Sequence, residues 1–236
     1  MREISIKKKI ILGTAQLGMN YGIMGSKKII CSEFLKIQKT AIDSKIKYID
    51  TAIDYGDSEK ILGKSKLKNL KIKTKIKISN KIKSSDLESF IFNQIKLSMK
   101  KLNVNMLYGL LIHDFKNLKN KRQHLIVRSL EKLKKQKKIN KIGISLYETS
   151  EIKKILKSWT PDIIQIPINV LDQRWLSGNL ISRLKKKKIQ IFSRSCFLQG
   201  LLVSDIKNKK VPKKLNELIY KFKKWCEKKK ISRLEA

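Results

Sequence analysis

A (β/α)8 TIM barrel of the α/β class is the fold this sequence predicts, and three observations point to it. Seven short β-branched runs alternate with longer segments whose apolar residues recur every three or four positions. Runs such as 108–112 and 163–166 are nearly continuously apolar, as a strand covered on both faces requires. Polar residues stand at or just past the C-terminal ends of seven different strands: Thr14, Asp50, Lys75, His113, Ser145, Gln165 and Arg194. A barrel gathers chemistry on that face from many strands, whereas a doubly wound sheet concentrates ligand groups at one switch point. The segment Gly13-Thr14-Ala15-Gln16-Leu17-Gly18 is not GxGxxG, which also weighs against a dinucleotide-binding first loop.

The strands are expected at 9–13, 47–50, 70–78, 107–113, 139–145, 163–167 and 189–193. Leu87, Ile91, Ile95, Met99 and Leu102 mark one helix, with Ser85 and Glu88 in capping-box spacing at its start. Leu215, Leu218, Ile219, Phe222, Trp225 and Cys226 mark the last, with Pro212 near its first turn. No Gly/Ser/Pro-rich linker divides the chain, so residues 1–236 read as one barrel domain.

Composition bounds the function. The chain has 236 residues, enough for a substantial core without a disulfide or metal staple. Its net charge of +37 raises nucleic-acid binding, but 49 Lys against only seven Arg is unlike a phosphate-recognising surface. The Lys residues are spread along the whole chain, which fits a drift toward Lys, Ile and Asn rather than a specific nucleic-acid partner. Cys31, Cys196 and Cys226 form no CxxC pair and read as reduced thiols. His113 and His124 are too isolated to argue for a metal, and none is expected. Lys7–Lys9 before Ile10-Ile11-Leu12 resembles a signal peptide, but Gly13, Thr14 and Gln16 interrupt the apolar stretch at once. With no apolar run of membrane-spanning length, the protein is expected to be cytoplasmic, with no membrane partner.

The loop after the second strand carries the most specific signal. Asp50-Thr51-Ala52-Ile53-Asp54-Tyr55-Gly56, followed by Ser58-Glu59, resembles the DTAxxYG…SE motif of the aldo/keto reductase family. Thr74-Lys75-Ile76, Leu110-Leu111-Ile112-His113, Lys141-Ile142-Gly143-Ile144-Ser145, Ile163-Ile164-Gln165 with Asn169, and Ser195 to Leu202 resemble further family elements, in family order. The likeness runs from Ile11 to the last residues. It implies reduction of an aldehyde or ketone by hydride transfer from a nicotinamide cofactor, NADP(H) ahead of NAD(H), on a small-molecule carbonyl substrate. It also implies a catalytic tetrad of Asp50, Tyr55, Lys75 and His113. In it Tyr55 donates the proton, Lys75 lowers the phenol's pKa, Asp50 balances the Lys, and His113 orients the carbonyl.

The same resemblance assigns cofactor contacts to Gly13, Thr14, Ser145, Gln165, Arg194, Ser195, Leu198, Gln199 and Gly200. An alternative is a noncatalytic relative that binds cofactor and a protein partner. Departures stand beside the matches. Leu146 replaces an Asn, Arg194 stands where relatives put an aromatic, and Lys73 shares the strand parity of Lys75 with no evident purpose. Asp54 and Asp57 read as loop caps. After Trp225, residues 231–236 read as the start of a further helix. Only seven strands are visible, so the chain is expected to be a C-terminally truncated fragment lacking strand eight and its helix.

Overall fold

Parallel pairing carries the chain around one curled sheet. The computed structural model describes residues 10–23, 27–65, 70–118, 122–205 and 211–236. Its strands are β1 (Ile11–Gly13), β2 (Tyr48–Asp50), β3 (Lys71–Ile76), β4 (Leu107–Ile112), β5 (Ile139–Ser145), β6 (Ile163–Pro167) and β7 (Gln190–Arg194). Neighbours in that order are hydrogen-bonded, and every pair is parallel. The helices are α1 (Ala15–Gly18), α2 (Cys31–Asp43), α3 (Ser58–Lys64), α4 (Leu87–Leu102), α5 (Gln123–Lys135), α6 (Thr149–Ile155), α7 (Leu180–Lys186) and α8 (Lys213–Lys229).

The seven expected strands are all present, β5 and β6 with the expected bounds and the other five trimmed or shifted at their ends. Lys9, expected to open the first, lies outside the described residues. β7 sits one residue later than expected because Ile189 closes the preceding turn, donating its N–H to the Leu184 carbonyl at 3.2 Å. Arg194 then pairs with Pro167 as the last step of the ladder.

Two apolar layers hold the sheet. Outside it, Ile72, Ile76, Leu110, Ile112, Ile142 and Ile144 pack against Ile91, Ile95 and Leu130 of the helices. Each such side chain contributes about 1.5–3 kcal/mol on full burial. Inside the curl, Leu111, Ile163 and Phe192 pack together with Ile11, Tyr48 and Tyr108. The Tyr48 and Phe192 rings, from β2 and β7, stand 5.7 Å apart edge to face across the bore. β2 and β7 therefore meet through side chains across the bore. The architecture is a (β/α)8-type barrel left open between β1 and β7, where no eighth strand pairs among the described residues.

One local expectation needs correction. Ser85 and Glu88 do not form a capping box, because a 3-10 turn over Ser84–Asp86 precedes α4 and makes Asp86 the cap position. Ser85 instead donates its hydroxyl to Asp86, and Glu88 accepts both its contacts from Lys132 at 2.7 Å. Residues 231–236 make a capped single turn. Ser232 N–H donates to the Glu235 carboxylate at 2.9 Å, and Glu235 N–H returns a 3.2 Å bond to the Ser232 hydroxyl. That reciprocal pair is the geometry of a helix start.

Candidate active site

Register brings two ammonium groups to one carboxylate. Parallel pairing sets Asp50 beside Lys73, and alternation places Lys75 on the same inward face, one step nearer the C-terminal mouth. Lys75 Nζ donates to both Asp50 carboxylate oxygens at 2.9 Å and to the Thr51 carbonyl at 2.7 Å. Lys73 Nζ donates to Asp50 Oδ1 at 2.6 Å and lies 4.7 Å from the centre of the Phe192 ring. Burial alone would raise the Asp50 pKa, yet the charges of Lys75 and Lys73 outweigh it and hold the carboxyl well below its usual range. Burial lowers the Lys73 pKa to about 8, against the pull of Asp50 and with the help of Lys75. Lys73, without an evident purpose in the sequence, is thus the second partner of the tetrad carboxylate.

The loop that follows is locked by small residues. A Cβ on Gly18 would come within 1.4 Å of the Tyr55 carbonyl oxygen, and one on Gly56, at φ +52°, within 2.3 Å of the Gly18 carbonyl oxygen. Only two glycines permit this close approach of α1 to the Tyr55 loop. Thr14, Thr51 and Ser58 fasten it with a buried hydroxyl cluster. Ser58 donates to Thr14 at 3.0 Å, and the Thr14 hydroxyl donates to the Asp50 carbonyl at 3.0 Å. Behind it the buried Glu59 accepts from Thr74 and Ser98, both at 2.7 Å.

Tyr55 itself is half-buried, its ring centre 5.1 Å from Lys75 Nζ. Its pKa is pushed upward, by burial first and then by the Asp50 charge, with Tyr21 and Asp54 adding and Arg194 opposing. The sequence expectation had Lys75 lowering this pKa. In the structure the Lys75 donors are committed to Asp50 and Thr51, and the phenol is held protonated. His113 Nδ1 lies 3.0 Å from Asp54 Oδ1, and its ring meets Tyr55 edge to face at 6.0 Å. Asp54 is therefore a partner of His113 and not a loop cap. Asp57 makes no capping bond either; it pairs with Lys28 at 3.0 Å.

The β5–β7 side of the mouth is built differently. Gln165 is buried with Asp50 and Tyr55 on the wall of one cavity of about 530 Å³, and its Oε1 has no hydrogen-bond partner among the described residues. Ser145 is buried at the adjacent strand end, opposite Gln165 in the ladder. Leu146 lies in the apolar core, so no polar side chain follows Ser145. Arg194 donates to Ser195 Oγ and the Leu146 carbonyl, both at 3.2 Å, and its guanidinium lies 4.0 Å from the centre of the Tyr147 ring. Beyond β7, Ser195, Leu198, Gln199 and Gly200 all adopt positive φ, between 46° and 93°.

The cavity collects most of the expected residues. Gly13 and Thr14 face it from β1, and a Cβ on Gly13 would meet nothing within 4 Å. Ser195, Gln199 and Gly200 line it from the loop after β7. Leu198 does not; its side chain packs outward with Leu202, Phe222 and Cys226. Asn169 serves its own turn, accepting from Leu171 and Asp172 at 2.9 Å. His124 lies in the first turn of α5 and does not line this cavity. Tyr21 and Tyr147, on connecting loops, went unnoticed in the sequence because nothing in their spacing marks them. The three cysteines are free thiols, and no group of metal-ligating residues occurs among the described residues. Among them, too, no helix is long and apolar enough to cross a membrane.

Known proteins can now be set against this geometry. The sequence model of the aldo/keto reductase family matches residues 9–236. The holo form of a Bacillus halodurans aldo-keto reductase superposes at a TM-score of 0.68 and 19% identity, over 87% of this chain and 66% of its own. Gluconobacter oxydans glycerol dehydrogenase gives 0.69 and 20%, over 95% and 76%. A Pseudomonas aeruginosa protein assigned to the same family gives 0.65 and 21%, over 83% and 74%. At such identities the solved structures speak for the fold alone. No curated protein matches in sequence. A family model that spans nearly the whole chain, on an open parallel barrel with this strand-end chemistry, makes the chain a member of the aldo/keto reductase family.

Proposed function

We propose that this oxidoreductase reduces an aldehyde or ketone to an alcohol, with Tyr55 as proton donor and NADP(H) in preference to NAD(H). The observation that carries the reading is the convergence of Tyr55, of Asp50 held from behind by Lys75, and of Gln165 on one cavity, with Gln165 Oε1 unpartnered among the described residues. A buried carbonyl oxygen without a donor costs about 1–3 kcal/mol, so a ligand amide N–H there is favoured. The nicotinamide carboxamide carries such a group, and Gln165 with Ser145 would hold it. Ser195, Gln199 and Gly200 would follow the phosphates, and Gly13 and Thr14 would border the ring. The bound cofactor supplies the hydride. The high net charge favours the more anionic of the two dinucleotides.

The protein's own groups manage the proton. Burial keeps Tyr55 a phenol, so its proton leaves only toward a stronger base, such as the oxyanion created on the substrate as its carbonyl carbon accepts hydride. Lys75 and Asp50 hold a fixed ion pair beneath that oxygen, an arrangement that needs little reorganisation during reaction. His113 donates Nδ1–H to the Asp54 carboxylate, so Nε2 hydrogen-bonds a carbonyl oxygen as a donor only when the ring is imidazolium.

Tyr55→Phe is the test. Turnover of an aldehyde panel should fall about 10³-fold while NADPH affinity, read by fluorescence quenching, stays within a few-fold. Near-normal turnover in that variant would remove Tyr55 from the chemistry.

A further inference from the structure

Among the described residues Arg174 and Arg233 are ion-paired while Arg122, Arg128, Arg183 and Arg194 are not, and of these four only Arg194 lines the cavity that holds Tyr55. Arg174 is neutralised by Glu148 and Asp172, and Arg233 by Asp205. Arg194 has no carboxylate within ion-pair distance among the described residues, although it is half-buried on the wall of the same cavity as Tyr55. Its partners are neutral: the Ser195 hydroxyl, the Leu146 carbonyl and the face of Tyr147. These contacts fix the guanidinium plane and use only two of its N–H donors, leaving the others unmatched. A half-desolvated cation held rigid in a cavity, with donors to spare, is favoured by an anion.

We propose that Arg194 is a specificity-determining residue that binds the carboxylate or phosphate of an anionic carbonyl substrate. The inference rests on the reductase reading for the name of its ligand, but not for the existence of the anion site. Four features support substrate over cofactor. The charge of Arg194 opposes the upward shift at the Tyr55 phenol, so its field reaches the atom that would meet the carbonyl. It acts in the same way on Tyr21, which lines the cavity beside Tyr55. The phosphate-following loop has its own backbone groups in Ser195–Gly200, where the positive-φ run turns peptide N–H groups in ways a regular helix does not. A planar fork clamped by a ring and a carbonyl is suited to bidentate recognition, which a Lys at the same place would not offer.

The test uses matched ligands on the whole chain at about 0.15 M salt, where the diffuse surface charge is screened beyond roughly 8 Å. Calorimetric titration compares 4-(hydroxymethyl)benzoate with 4-methylbenzyl alcohol, without cofactor and with saturating NADPH. The acid should bind saturably and at least tenfold tighter than the neutral alcohol in both conditions. Arg194→Gln should abolish that preference, Arg194→Lys should retain part of it, and the exposed outer-wall variant Arg183→Gln should keep it whole. In turnover, the ratio of kcat/KM for 4-carboxybenzaldehyde over 4-methylbenzaldehyde should fall at least tenfold in Arg194→Gln, whatever the absolute rates. An equal loss on both ligands, or a preference that NADPH abolishes, would overturn the assignment and give Arg194 to the cofactor. Absence of any preference in the unmodified protein would also end it. If no aldehyde turns over, the titration still decides the anion site, so this inference and the reductase reading fail separately.

Discussion

The two halves of the barrel mouth are built on opposite principles. On the β2–β4 side the polar groups at the mouth are matched within the protein, and behind them only Glu59 Oε2 has no partner among the described residues. Asp50 takes Lys73 and Lys75, His113 takes Asp54, and Thr14, Thr51 and Ser58 close on one another. On the β6–β7 side, among the described residues, Gln165 Oε1 has no partner and Arg194 no counter-charge, and the following loop runs through positive φ. The difference teaches where a ligand is needed. The first half is pre-organised and stable by itself; the second is completed only by what binds there.

Lys75→Met attacks the matched half and should have the largest effect. Turnover should fall about 10²–10³-fold, because the ammonium nearest the phenol is lost. Folding should survive, since Lys73 still neutralises Asp50. A variant that fails to fold while Lys73→Met folds would show that the two ammonium groups are not equivalent supports.

Gly18→Ala tests how the matched half is held. The new Cβ overlaps the Tyr55 carbonyl, so the loop must move. Stability should drop by about 3 kcal/mol in urea unfolding. Unchanged stability would mean that the α1–loop contact is not fixed as described.

Gln165→Leu attacks the open half. Removing an unpartnered buried amide should leave stability within about 1 kcal/mol, yet weaken NADPH about tenfold. A clear stability loss with unchanged cofactor affinity would place Gln165 on the structural side of the comparison.

Lys73→Met gives the smallest and most pH-dependent signal. The folded pKa of Lys73 is lowered to about 8, below the ordinary value near 10.5. Between those values the unfolded chain binds a proton that the native protein has released, so native stability rises with pH in that window. The unmodified protein should therefore gain stability relative to Lys73→Met between pH 8 and 10, and hold a constant difference below pH 7. A flat difference across the window would mean that Lys73 keeps its proton.

The barrel was legible in the sequence because its signals are local and repeated. Strand and helix periods alternate seven times, and a residue's place at a strand end is a matter of spacing. The nearness of the four proposed tetrad residues was legible for the same reason, with Tyr55 five residues past Asp50 at the end of β2, and Lys75 and His113 each at a strand end. Only the tertiary structure decided what those residues do to one another. The purpose of Lys73 depends on the register of β3 against β2, and the partner of His113 on a loop conformation that two glycines permit. The upward shift of Tyr55 follows from burial and from Lys75 spending its donors on Asp50 and Thr51. Spacing along the chain specifies which face a side chain is on. Distances across the bore, and the desolvation that sets each charge, arise only when separate strands are brought together.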